Sequence, residues 1–202
     1  MKLSSITLIV VLVLIVLFDG CGVSSYNGMN KSRVAVNKAW GNVQSAYQRR
    51  ADLIPNIVST VSAAADFEKS TLTEVIQARA SATQIKVDAD DLTPEKMQQF
   101  QASQGQLSQA LGRLMVVSEQ YPQLRTTENF GALQKELEGT ENRIKFARDE
   151  FNTATEEFNV KVTSFPGSII AGFAGFKEKP MFAADQGSEK APDVNAGFNK
   201  NK

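Results

Sequence analysis

The chain has 202 residues, a length that suits one domain with an appendage at each end. Its 22 basic and 22 acidic side chains cancel, and the cations are scattered, so the sequence does not favour a nucleic-acid partner. Histidine is absent and cysteine occurs once. Transition-metal sites and activated nucleophiles depend largely on these residue types. The composition therefore disfavours a transition-metal site and a histidine-activated nucleophile, and the sequence as a whole predicts no assembled set of catalytic residues, no metal site and no cofactor.

An apolar segment opens the chain. Residues 8–18 contain no polar side chain, and Asp19 ends the run. As a helix counted from Leu3, the segment would be about 24 Å long, against a hydrocarbon layer of about 30 Å. Local thinning of the bilayer would still allow it to cross. The sequence therefore predicts a membrane anchor within residues 1–23.

A lipoprotein signal is the alternative for the same segment. Cys21 follows Gly20 and is the candidate for lipidation after cleavage, although Phe18 and Asp19 are unusual in such signals. Both interpretations tether the chain to a membrane by its N-terminus. A retained spanning helix weakly favours a cytoplasmic body, because more cations follow it than precede it. A lipidated Cys21 would place the body outside.

The body, residues 26–165, has helical periodicity. Apolar residues recur at alternating steps of three and four, which is the spacing of packed helices. The first such series consists of Val36, Trp40, Val43, Tyr47, Ile54, Ile57 and Val61. Arg50 occupies one position of this series. Pro55 predicts a kink, or a new helix capped by Asp52, because proline removes a backbone donor.

Three further helices are predicted along the body. One covers residues 68–85, and another begins at Thr93 and Pro94, an N-cap followed by a first-turn proline, and stops at Pro122. The last covers residues 130–164 with strict heptad spacing. Together these elements predict an all-α fold, a long antiparallel bundle of about four helices with an N-terminal membrane anchor.

Two segments follow the predicted bundle. Residues 166–183 are rich in glycine and aromatic residues and would emerge at the end of the bundle where the anchor enters. We expect this segment to plug the open end, or to dip into the membrane interface with Lys177 and Lys179 against headgroups. Residues 184–202 are polar and are predicted to be a mobile tail.

Several motifs match one known family. They are Tyr26-Asn27, Val36-Asn-Lys-Ala-Trp40, Tyr47-Gln-Arg-Arg-Ala-Asp-Leu-Ile-Pro-Asn56, Glu119-Gln-Tyr-Pro-Gln-Leu124, Leu133-Gln-Lys-Glu-Leu-Glu-Gly-Thr-Glu-Asn-Arg-Ile144 and Ala191-Pro-Asp-Val194. In these stretches the chain resembles the LemA family. The resemblance implies an antiparallel helical bundle on an N-terminal anchor in a bacterial membrane. It implies no activity, since that family has no agreed biochemical function.

Arg50 is the most informative polar residue, because an unpaired charge at an apolar position is costly to bury. One interpretation joins it with Arg49 and Asp52 in an anion or partner site opened by the kink at Pro55. The other makes it half of a buried ion pair. The candidate carboxylates for that pair are Glu119, Glu138 and Glu141.

Other polar residues are candidates for partner binding or for buried structural contacts. Asn152 and Asn159 lie one heptad apart, where asparagine can fix the register of packed helices. Asn142 and Arg148 are further candidates on the same helix.

These patterns favour a binding or scaffolding module at the cell envelope, with a protein partner of unknown identity. A carboxylate-dependent hydrolase that uses Glu138 and Glu141 is one alternative, but nothing in the sequence supplies supporting side chains around this pair or a cleft for stacking a sugar. A structural homo-oligomer is the other alternative.

Overall fold

The computed structural model describes residues 3–63 and 67–183, and over these ranges it contains helices and no strands. The helices are α1 (Leu3–Ser62), α2 (Lys69–Gln84), α3 (Pro94–Ser118), α4 (Pro122–Arg125), α5 (Glu128–Thr163) and α6 (Gly167–Ala174), with a 3-10 turn at Ala89–Asp91. The predicted all-α class is confirmed. The predicted tail, residues 184–202, lies outside the described residues.

The long helices alternate in direction. Along α1 and α5 the contacts run from Ser32–Lys161 at 2.5 Å to Arg50–Glu141 at 2.8 Å, so one residue number rises as the other falls. The pair α2 and α3 is antiparallel for the same reason, since Glu74 meets Arg113 and the Ala82 carbonyl accepts from Gln104. The predicted arrangement of about four main helices is therefore present, with α4 and α6 as short additions.

Capping residues set where two of these helices begin. The Thr93 hydroxyl accepts a hydrogen bond from the Lys96 amide at 3.3 Å, and Pro94 follows it at the start of α3. Thr127 caps α5 in the same way, accepting from the Phe130 amide. Short side-chain oxygens thus satisfy amides that would otherwise lack a partner at each helix start.

The heptad residues of α1 form the seam of two apolar clusters. One cluster is centred on Trp40, which is 1 % exposed and donates from its indole to the Val87 carbonyl at 2.7 Å. Its other buried members include Val36, Val43, Tyr47, Phe100, Ile144, Phe151 and Phe158. The second cluster includes Leu53, Ile54, Ile57, Val61, Val75, Leu107, Leu111, Leu114 and Leu137.

The helix α1 continues through Pro55, so the predicted new helix capped by Asp52 is wrong. Asp52 is exposed and accepts a hydrogen bond from Gln48, one turn earlier. Proline at position 55 removes the amide that would have bonded the carbonyl of Ala51. In its place the Arg79 Nε of α2 donates to that carbonyl at 2.8 Å. A side chain from the neighbouring helix therefore satisfies the acceptor that the proline leaves free.

Over the described residues, no helix has the combination of length and apolar character that crossing a bilayer requires. At 1.5 Å per residue, the 60 residues of α1 extend over about 90 Å. Its first part carries apolar side chains in the open, since residues 8–12 are 51–66 % exposed.

A double-mutant cycle tests the contact between Arg79 and the Ala51 carbonyl. We expect Arg79→Ala to lower the free energy of unfolding by about 1–3 kcal/mol, because a buried carbonyl loses its donor. In a chain that carries Pro55→Ala, the restored amide can bond Ala51, so Arg79→Ala should cost about 1 kcal/mol less. Urea unfolding of the four chains, followed by circular dichroism, measures this difference. Equal costs in the two backgrounds would contradict the assignment.

Candidate functional site

A buried arginine joins three helices in the middle of the bundle. The Arg50 side chain is 1 % exposed, and its Nη1 donates to Ser108 on α3 and to Glu141 on α5, both at 2.8 Å. Its Nη2 donates to the side-chain oxygen of Gln104 at 2.6 Å and to the backbone oxygen of the same residue at 3.3 Å. The guanidinium lies over the Tyr47 ring, 5.0 Å from the centroid.

These contacts decide between the two interpretations of Arg50. A guanidinium has five N–H donors, and the four on its terminal nitrogens are used within the protein. The Nε is buried without a hydrogen-bond partner. Little donor capacity is left for an external anion, so the geometry is that of a structural ion pair. Glu141 supplies the carboxylate, with its side chain 46 % exposed at the surface.

The other residues predicted to act with Arg50 lie elsewhere. Arg49 points outward on α1 and forms a surface pair with Glu136 at 3.5 Å. Asp52 is exposed on the same helix, and Glu119 is exposed where α3 ends. The expected joint site of Arg49, Arg50 and Asp52 is wrong, because successive residues of a helix face different directions and only Arg50 faces the core.

A cleft of about 280 Å³ lies beside the Arg50 network, between α1, the end of α2 and α3. Gln104 belongs to both, since it lines the cleft and contacts the guanidinium. The polar side chains that line the cleft are Gln44, Gln48, Thr83, Lys86, Asp88 and Gln104. On the outer side of α1, Ser45, Arg49 and Asp52 continue this polar surface around Gln44 and Gln48.

A second polar constellation holds the segment after α6. Residues 176–183, here called the strap, run back along α5. The Asn159 amide donates to the Lys179 carbonyl at 2.8 Å and accepts from the Lys179 amide at 2.9 Å. Asn152 bonds both backbone groups of Phe182 in the same way, at 3.1 and 2.8 Å.

The spacing of the two asparagines matches the strap. Seven residues of helix rise about 10.5 Å, and three residues of extended chain cover about 10 Å. Two asparagines one heptad apart on a helix can therefore bond two residues that lie three positions apart in an extended chain. The expectation that Asn152 and Asn159 fix the register of two helices is wrong, because both side-chain amides bond this non-helical segment.

Arg148 adds a third contact on the same side of α5. Its Nη2 donates to the Ala183 carbonyl at 3.1 Å, and its guanidinium lies 4.9 Å from the centroid of the Phe182 ring. Phe182 is 6 % exposed and reaches the aromatic cluster, with its ring 5.5 Å from Phe151 and 6.1 Å from Trp40. Asn142, which was also a candidate, is exposed on α5.

Lys179, in the strap, is buried against the bundle, and the expectation that it meets lipid headgroups is wrong. Its side chain is 10 % exposed, bonds the Ala89 carbonyl and lies 3.6 Å from Asp90. Burial lowers the pKa of Lys179, while the charge of Asp90 opposes that shift. The hydrogen bond from Asn37 holds the pKa of Asp90 below its ordinary value of 3.8, and the charge of Lys179 acts in the same direction.

The pKa values of Asp90 and Lys179 are both lowered, but the consequences for stability are opposite because one group is an acid and the other a base. The pKa of Asp90 is lowered by folding, so its contribution is present above pH 3.8 and is lost as the pH falls. The pKa of Lys179 is also lowered, so burial of its charge opposes folding below its ordinary pKa of 10.5. The pair with Asp90 offsets part of that cost at neutral pH.

The carboxylates do not form a catalytic pair in this geometry. Glu141 is bonded by Arg50, and Glu138 accepts from Gln134 at 3.2 Å on the surface of α5. Hydrogen bonds lower the pKa of Glu68, Asp90 and Glu95, a shift opposite to the one a general acid needs. Across the part of the chain that the structure describes, no three metal-binding side chains come together.

Comparison with known proteins agrees with the sequence motifs. The sequence model of the LemA family matches residues 39–196, more than half of the chain. This chain belongs to the LemA family. The predicted resemblance is thereby confirmed, and the described LemA fold is the helical bundle with its strap.

Two kinds of relative are similar to this LemA-family chain. Protein LemA of Metamycoplasma hominis is 22 % identical over 160 residues, which are 79 % of this chain and 69 % of that protein. Magnetosome protein MamQ 2 of Paramagnetospirillum magneticum is 35 % identical over 78 residues, and MamQ of Magnetospirillum gryphiswaldense is 36 % identical over 78 residues. The match spans 39 % of this chain and 29 % of each magnetosome protein.

Two glutamates on α5 give a matched test of the Arg50 network. Their side chains are equally exposed, at 46 % for Glu141 and 45 % for Glu136, but their arginines are 1 % and 53 % exposed. We expect Glu141→Ala to lower the free energy of unfolding by about 1.5–3 kcal/mol, because a buried cation loses a charged partner. Glu136→Ala should cost less than about 1 kcal/mol. Chemical denaturation measures both, and equal losses would contradict the buried pair.

Hydrogen exchange tests the hold of α5 on the strap. Asn159→Ala removes two hydrogen bonds, each worth about 0.5–1.5 kcal/mol, so exchange at Lys179 and Phe182 should accelerate on the order of tenfold. Asn142→Ala, on the exposed side of the same helix, should leave both amides unchanged. Unchanged protection in the Asn159→Ala chain would show that the asparagine does not hold the strap.

Proposed function

We propose that this LemA-family protein is a membrane-associated binding or scaffolding module at the bacterial cell envelope, and not an enzyme. The observation that carries the proposal is the continuity of α1. One helix, Leu3–Ser62, bears exposed apolar residues at its start and supplies the seam of the bundle along the rest of its length. A membrane contact at residues 8–12 would therefore be joined to the folded body without a flexible linker.

The exposed apolar start of α1 supports association with lipid. Each of the five side chains at residues 8–12 is more than half exposed, and all five are leucine, isoleucine or valine. Full burial of such a side chain gains about 1.5–3 kcal/mol. An exposed apolar stretch of this kind is typical of an interaction or membrane site. Whether the anchor spans the bilayer or is a lipid on the exposed Cys21, the bundle would be held at the membrane.

The use of the polar side chains supports binding over catalysis. The best-connected ones bond other parts of the chain: the buried Arg50 joins three helices, and the half-buried Asn152 and Asn159 hold the strap. The polar surface around Gln48 and Arg49 is open to solvent next to the 280 Å³ cleft. We assign the protein partner to this surface, where exposed amides and charges could pair with a complementary surface.

Similarity to the relatives supports the proposed cellular location more than it supports a particular biochemical activity. The relatives named as magnetosome proteins are bacterial, and their stretch of likeness covers 78 residues. A structural role as a homo-oligomer is the second candidate function. It is favoured by Phe146 and Val160, which are 65 % and 54 % exposed on α5 and lie two heptads apart. The native mass of the full chain in mild detergent distinguishes an oligomer from a monomer.

Charged substitutions test the membrane part of the proposal. The full chain should sediment with membranes, and Leu8→Glu together with Leu12→Glu should move it to the soluble fraction, since an acid near the bilayer centre costs roughly 2.5–3.5 kcal/mol. The control carries Ile76→Glu and Val116→Glu, which alter aliphatic side chains that are 52 % and 65 % exposed on the body. The control should stay with the membranes. A wild-type chain found only in the soluble fraction would overturn the proposal.

The same cells test the binding part. A photoreactive amino acid in place of Arg49 should give a protein adduct, whereas the same residue in place of Arg143, exposed on α5, should give none. An adduct at neither position, in a chain that sediments with membranes, would count against a partner at the Gln48 and Arg49 surface. Mass spectrometry of the mature N-terminus separates the two anchors, because a spanning helix keeps Met1 and a lipoprotein begins at a lipidated Cys21.

A further inference from the structure

The most exposed aromatic side chains of the body lie together at α6. Phe173 is 91 % exposed and Phe165, just before the helix, is 82 % exposed. Ile169, one helical turn before Phe173, is 45 % exposed. These three side chains are called the α6 outer face. Large apolar side chains exposed together at one end of a body indicate a contact surface.

The opposite side of α6 is fixed to the bundle. Ala171 is 2 % exposed, and Ile170 packs against the cluster around Trp40. At Gly167, a Cβ would come within 2.3 Å of the Lys161 carbonyl oxygen, so only glycine permits this approach. Gly175 ends the helix with a positive φ of 76°, a conformation that glycine adopts without strain, and the strap follows. The α6 outer face therefore cannot turn inward without releasing this packing.

The position of α6 along α1 relates the outer face to the apolar start of the chain. The Phe176 ring is 5.6 Å from Tyr26, and Gly167 lies against Met29. From Tyr26 to the end of the apolar run at residue 18 the helix rises about 12 Å. Val23, between the two, is 62 % exposed, and Tyr26 itself is 45 % exposed. Exposed apolar side chains thus lie at residues 8–12 and again at Val23 and Tyr26, beside α6.

We propose that the α6 outer face sits in the interfacial layer of the same bilayer that receives the start of α1. The inference rests on the proposed membrane association and adds a second contact to it. Polar headgroup layers are about 5–7 Å thick, and a helix tilted by about 20° brings one side of its bundle closer to the lipid. Phe173 enters the layer, and Tyr26 and Phe165 lie at its edge, where aromatic side chains are enriched. Lys177, exposed just after α6, faces the headgroups.

The observations favour lipid over two other occupants of this face. The first alternative occupant is the tail, residues 184–202, which follows Ala183, and Ala183 is bonded to Arg148. From Arg148 to Ser164, which lies beside α6, the helix α5 rises about 24 Å, so the tail begins at a distance from the α6 outer face. The tail contains one aromatic side chain, Phe198. A second copy of the chain would bury a patch of three side chains, far less than the roughly 1,000 Å² that a stable interface needs. Lipid is the occupant that the neighbouring apolar start of α1 already requires.

Two contacts with the bilayer would fix the orientation of the bundle. A single helix leaves the body free to rotate about its axis, whereas a second contact on one side defines which face meets the membrane. The cleft and the surface around Gln48 and Arg49 lie further along α1, away from the membrane end, and would keep a constant orientation. A scaffold would thereby present its partner at a defined side.

Site-directed fluorescence tests the proposal on the full chain. A dansyl amino acid replaces Phe173, and the chain is reconstituted into vesicles of phosphatidylethanolamine and phosphatidylglycerol. We expect the emission to shift to shorter wavelength and to lose most of its intensity when nitroxide-labelled lipids are included. The matched control places the dansyl amino acid at Phe146, which is 65 % exposed on α5 and about 27 Å from Ser164 along the helix. Emission at that position should match emission in water.

Other results of the same experiment would distinguish lipid from the other possible occupants of the α6 outer face. A probe at Phe173 that emits as in water, on a chain that floats with the vesicles, overturns the α6 contact and leaves the membrane association standing. A chain that does not float overturns the proposed function itself. A blue shift without lipid that grows with protein concentration assigns the face to a second copy, and one that disappears on removal of residues 184–202 assigns it to the tail. Either result overturns the proposal. A second probe at Phe165, with circular dichroism of each chain, guards against a local folding defect.

Discussion

The antiparallel pairing of α1 with α5 sets the position of the other elements. Each helix carries one apolar stripe that it cannot bury alone, and the contacts from Ser32–Lys161 to Arg50–Glu141 bring the two stripes together. The hairpin of α2 and α3 then covers the far half of this pair, where Val75 and Leu107 complete the second cluster. In the half nearer the N-terminus the pair is covered by α6 and the strap. The bundle is thus long and narrow, and different polar contacts stabilise it at different positions along its length.

Arginine side chains stabilise the places where the apolar seam is interrupted. Arg50 enters the seam itself, and contacts from two other helices, α3 and α5, replace the water that its charge would lose. Arg79 acts on the backbone, where its Nε bonds the Ala51 carbonyl that Pro55 leaves without a donor. In both cases one element supplies the hydrogen-bond partner that a group in another element needs. Helix α1 can therefore continue as one rod from its apolar start to the end of the second cluster.

The strap connects α6, beside Tyr26 and Met29 of α1, to the centre of the bundle. Asn159 and Asn152 bond its backbone, Lys179 is drawn in towards Asp90, and Phe182 ends in the cluster around Trp40. Because α6 is fixed between Gly167 and this segment, its apolar outer face stays exposed. A rigid rod with an apolar start and a second apolar face beside it is well suited to hold a body at a set angle to a membrane. This geometry is the basis of the scaffold that we propose.

The sequence alone determined the helices, because their periodicity, caps and stops are local. The heptad residues of α1 are buried as predicted, Thr93 and Pro94 begin α3, and the motifs identify the LemA family. Tertiary structure decided the partners of the polar groups. Nothing near Pro55 in the sequence indicates that Arg79 will donate a hydrogen bond to the Ala51 carbonyl. The spacing of Asn152 and Asn159 fits a seam between two helices as well as it fits an extended strap. A local pattern fixes the direction in which a side chain points, whereas its partner depends on which distant segment the fold brings there.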